Sequence, residues 1–93
     1  MGLIEQLKEK YRKLQRLSPK HELLKYFSLD GEDFKLASDK EIAMELTERF
    51  REGTPDIKKA KSYQKYKQGL ASAVFGNYLS ALEQAVRDVI SSN

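Results

Sequence analysis

The chain has no cysteine and no tryptophan, and only two prolines, five glycines and one histidine among 93 residues. Without cysteine there are no disulfides, no thiolate-ligated zinc, no iron–sulfur cluster and no thiol nucleophile. A disulfide-stapled secreted domain is therefore excluded, and a cytoplasmic location is the expectation. Long apolar runs are also missing. The longest uncharged stretch, Gln68 to Leu82, is 15 residues and contains Gly69, Ser72, Gly76, Asn77 and Ser80. A helix needs about 20 apolar residues to span a bilayer, so no membrane segment is expected. Residues 1–20 lack the apolar core of a signal peptide, and Gln6 stands where a myristoylation signal needs Ser or Thr.

What remains is 33% charged and 40% hydrophobic, the balance of a globular chain of one domain, residues 1–93. The net charge of +3 is unevenly distributed. Residues 1–27 carry +4, 28–48 carry −5, 49–67 carry +5 and 68–93 carry −1. Blocks of alternating sign can neutralise one another internally or present separate faces to partners. The acidic block is a candidate counterpart to one of the basic ones, which would leave Lys58–Lys67 free.

Apolar spacing predicts helices throughout. Leu3, Ile4, Leu7, Tyr11, Leu14 and Leu17 share one helical face. Ser18-Pro19 reads as a cap and first helical proline, opening a short helix to about residue 27 that buries Leu23, Leu24 and Phe27. Around Asp30-Gly31 the apolar residues alternate, as in a two-residue hairpin. An isolated hairpin is marginal, so a loop that plugs one end of the bundle is the preferred reading. Ser38 to Glu41 matches a capping box. It opens a helix to about Glu52, with Ile42, Ala43, Leu46 and Phe50 inward and Gly53 as its C-terminal cap.

From Thr54-Pro55 nothing compels a stop before Ser91. A straight helix of the intervening 36 residues would be about 54 Å long, against a compact diameter of about 32 Å for a chain of this size. Either it breaks near Gly69 or another chain covers it. Its apolar face is wide: Leu70, Val74, Tyr78, Leu82, Ala85 and Val89 form one stripe, and Phe75, Leu79, Val86 and Ile90 the next. The expected fold is all-α, a small four- to five-helix bundle with a long C-terminal helix.

No motif of catalysis emerges. His21 lacks a facing carboxylate, since adjacent residues on a helix diverge. No phosphate loop, HExxH or nucleophile elbow is present. Glu41, Glu45 and Glu48 share a helical face, but a carboxylate metal site in a bundle usually adds histidines from facing helices. No enzyme activity, metal, cofactor or small-molecule substrate is expected. Two binding readings remain. In the first, the chain is a regulatory or accessory interaction module, pairing with another protein or with itself through Leu70, Val74, Phe75, Tyr78 and Leu82. In the second it binds nucleic acid through Lys58–Lys67. There Lys58, Lys61 and Lys65 would share a face, Tyr63 and Tyr66 would offer rings for stacking, and Arg12 and Arg16 would assist.

Overall fold

The computed structural model describes residues 2–50 and 72–92. Among them are three α-helices, one 3-10 turn and a two-stranded antiparallel sheet. The expected all-α four- to five-helix bundle is thus corrected to a mixed fold. Helix α1 is Leu3–Leu17, the 3-10 turn is Glu22–Tyr26, strand β1 is Phe27–Asp30 and β2 is Asp33–Leu36; helix α2 is Lys40–Arg49 and α3 is Ser72–Ser91. The readings at Gly53, Thr54-Pro55 and Gly69 lie outside the described residues.

Helix α1 forms as its spacing predicts and buries Leu7, Tyr11 and Leu14. Its end corrects the reading of Ser18-Pro19. The proline ring disfavours helical backbone at the residue before it, and Ser18 is non-helical, with φ −147° and ψ 79°. The pair stops α1 and does not start a helix. After it, the Pro19-Lys20 bend closes with the His21 N–H donating to the Ser18 carbonyl at 3.0 Å. His21 then caps the 3-10 turn, its ring accepting from the Leu23 N–H. In place of the expected nine-residue helix there are five residues of 3-10 turn, and Phe27 already belongs to a strand.

The loop expected over residues 28–38 is a hairpin. Phe27 pairs with Leu36, Ser28 with Lys35, Leu29 with Phe34 and Asp30 with Asp33. Gly31, at φ +59°, opens the two-residue turn, while no described non-glycine residue has positive φ. That is the type II′ pattern. The objection to a lone hairpin fails because helices supply its missing layer. Phe27 stacks on Phe34 at 4.7 Å, and Tyr11 of α1 meets the Phe34 ring edge-on at 5.5 Å. Tyr78 and Phe75 of α3 reach Phe27 at 5.0 and 5.9 Å.

Helix α2 is capped by Asp39 rather than Ser38. One Asp39 carboxylate oxygen accepts from the N–H groups of Glu41 and Ile42, at 2.8 and 3.4 Å. Ala43, Leu46, Thr47 and Phe50 turn inward. The Thr47 hydroxyl donates to the Ala43 carbonyl at 3.0 Å, which satisfies its polar atom. Helix α3 packs chiefly on α1. Its buried residues Val74, Tyr78, Leu79, Leu82, Ala85 and Val86 complete one core with α1, the hairpin and α2.

Candidate functional site

Of the residues expected to form a partner interface, three are inside this core. Val74, Tyr78 and Leu82 are 0% exposed, and Phe75 is half-buried beside Phe27. The width of the α3 apolar face reflects neighbours within the chain, because α1, the hairpin and α2 all press on it. Leu70 lies outside the described residues, as do Lys58, Lys61, Lys65, Tyr63 and Tyr66. Of the two expected helpers, Arg12 is committed to the hairpin turn: its guanidinium donates to the Gly31 carbonyl at 2.7 Å and to Glu32 at 3.1 Å. Arg16 is exposed and carries no ion pair among the described residues. A groove along the outer side of α1 is lined, among the described residues, by Glu5, Lys8, Glu9, Arg12, Gln15 and Arg16. Two acids share it with three bases, so α1 does not present a surface of one sign.

Three phenols converge on the 3-10 turn and its flanks. The Tyr11 hydroxyl contacts the Leu24 and Phe27 carbonyls at 3.0 and 2.8 Å. The Tyr78 hydroxyl donates to the Leu23 carbonyl. Burial pushes the Tyr11 and Tyr78 hydroxyls above the usual phenol range, because a phenolate would be poorly solvated there. Tyr26 is fully buried as a ring, while its hydroxyl donates to Glu45 at 3.1 Å and accepts from Arg49 at 3.3 Å. The core thereby adds side-chain donors to carbonyls of the 3-10 turn and of Phe27 at the start of β1.

Around Tyr26 the charge blocks neutralise one another. Lys25 meets Glu45 at 2.7 Å and Arg49 meets Glu22 at 2.9 Å. The Arg49 hydrogen bond holds Glu22 below the usual carboxylate range, and the Lys25 ammonium does the same for Glu45. The same contacts raise Lys25, through Glu45, and Arg49, through Tyr26 and then Glu22. With the Arg12–Glu32 pair at 3.1 Å, the acidic block is joined to the first basic block.

Not all of the acidic block is used. On the solvent side of α2, Glu41, Met44 and Glu48 stand at spacings of three and four, which places them on one stripe. Met44 is 47% exposed. Both flanking glutamates are exposed and carry no ion pair among the described residues. Glu41, Glu45 and Glu48 were legible as one face. Met44 was not, although its step of three from Glu41 put it there. Among the described residues no group of three or more His, Asp or Glu is placed to hold a metal ion, and no helix is long and apolar enough to cross a membrane. No protein-family model matches the chain, and neither a curated protein nor a solved structure is significantly similar to it.

Proposed function

We propose that the chain is a non-enzymatic interaction module whose partner is a cationic, amphipathic protein segment docking on the solvent face of α2. The observation that carries this reading is the stripe Glu41–Met44–Glu48. It sets an exposed, flexible thioether between two carboxylates that carry no ion pair among the described residues, on a helix whose other face is fixed in the core. Methionine is enriched at interfaces and adapts its shape to different apolar partners. The carboxylates select lysine or arginine and steer their approach. The tyrosine and ion-pair contacts behind α2 hold that face still, which lowers the ordering cost of docking.

Fluorescence anisotropy with a labelled synthetic Lys/Leu amphipathic helical peptide tests the reading. Binding should be present at low salt, weaken as salt rises, and fall at least about tenfold in a Glu41→Lys/Glu48→Lys variant. Equal binding by that variant, or no binding by the parent, overturns it. A labelled DNA oligonucleotide is the comparison arm. If only the DNA binds, and a Lys58→Glu/Lys61→Glu/Lys65→Glu variant loses it, the nucleic-acid reading takes its place.

A further inference from the structure

The 3-10 turn is the node of this fold, and its cap is a histidine. His21 is half-buried, with extended backbone, and its Nδ1 accepts the Leu23 N–H at 3.1 Å. The next two carbonyls, of Leu23 and Leu24, take the hydroxyls of Tyr78 from α3 and Tyr11 from α1. The turn thus joins the two longest described helices, and the imidazole fixes its first residues.

An imidazole nitrogen accepts only while it holds a lone pair; in imidazolium both nitrogens donate. We infer that His21 is a protonation-sensitive cap, releasing the Leu23 N–H on acidification and loosening the seat of Tyr11 and Tyr78. Three charged residues stand close to it in the chain, of which Lys20, immediately before it, is exposed. Glu22, next in the turn, interacts electrostatically with His21 and is itself held by Arg49 of α2. Lys25 of the turn is held by Glu45 of α2. From α1 and α3 the polar groups that reach the turn are the Tyr11 and Tyr78 hydroxyls. Both flanking charges on the turn are already matched by partners on α2, which leaves the ring nitrogen as the group that changes its hydrogen-bonding role.

Two NMR measurements test this. A long-range proton–nitrogen correlation on the parent protein at pH 8 should show Nδ1 unprotonated and the proton on Nε2. Leu23 amide protection, corrected for the intrinsic exchange rate, should then fall about fivefold between pH 8 and pH 5, the size of a lost N-cap. His21→Asn offers an oxygen acceptor at every pH, so protection there should stay constant. A proton on Nδ1 at pH 8, or the same fall in the asparagine variant, overturns the inference. The first measurement needs no variant and stands even if substitution impairs folding.

Discussion

Replacing Tyr78 by phenylalanine removes one oxygen and leaves the ring where it is. The ring still packs against Phe27, Tyr26 and Phe50, at 5.0, 6.0 and 5.6 Å. What changes is the Leu23 carbonyl, which keeps the backbone bond of the 3-10 turn but loses its side-chain donor inside a core where Tyr78 is 0% exposed. Losing one buried hydrogen bond costs about 0.5–1.5 kcal/mol. In a domain of this size each kcal/mol moves the melting temperature by roughly 4–8 °C. A loss of about 1 kcal/mol therefore lowers it by roughly 4–8 °C. Tyr11→Phe removes the one hydroxyl proton shared between the Leu24 and Phe27 carbonyls, and should cost a similar amount. The two sites act on neighbouring residues of one short turn. The double variant should then lose less than the summed single losses, by about 0.5 kcal/mol or more. Thermal and urea melts followed by circular dichroism give all four values of the cycle. A Tyr78→Phe variant within about 0.5 kcal/mol of the parent would refute the claim that these hydroxyls hold the turn.

The same phenols set the alkaline limit. Both are raised by burial, so above the unfolded value near 10 the native state keeps protons that the unfolded chain has lost. Their contribution is complete below about pH 10 and is lost as pH rises further; a pH series of urea midpoints should show that fall, flattened in Tyr78→Phe. Gly31→Ala puts a side chain at φ +59° and should cost about 1–2 kcal/mol, with Gly31→Asn milder; equal stability of the alanine variant would contradict the turn assignment. Asp39→Ala removes the carboxylate that accepts from Glu41 and Ile42 and should cost about 0.5–2 kcal/mol, whereas Ser38→Ala should be near neutral in the same melts.

Much of this arrangement was legible in the residues, and the failures share a cause. The buried face of α1 follows from its spacing, because a 3.6-residue period requires only local information. So does the inward set Ala43, Leu46 and Phe50 of α2. Ser18-Pro19 was misread because proline permits either a helix start after it or a stop before it. The choice depended on the backbone of Ser18. Ser38 and Asp39 are both competent caps one residue apart, and the register of the first helical bond, from the Ala43 N–H to the Asp39 carbonyl at 3.0 Å, decides between them. The hairpin alternation was visible, yet its stability comes from Tyr11, Phe75 and Tyr78, which are distant in sequence. The same long-range fact put Val74, Tyr78 and Leu82 of the expected interface in the core. His21, which lacks a facing carboxylate in the sequence, acts on a backbone N–H two residues away, a role that leaves no spacing signature.

The partner surface proposed for this protein is the outer face of α2. It is tested by an amide chemical-shift footprint of the isotope-labelled chain during titration with the cationic amphipathic peptide. A contiguous set of shifts is expected at Glu41, Met44, Glu45 and Glu48, with the buried Val74, Tyr78 and Leu82 unmoved. Shifts that leave α2 silent and gather elsewhere on the chain would contradict it.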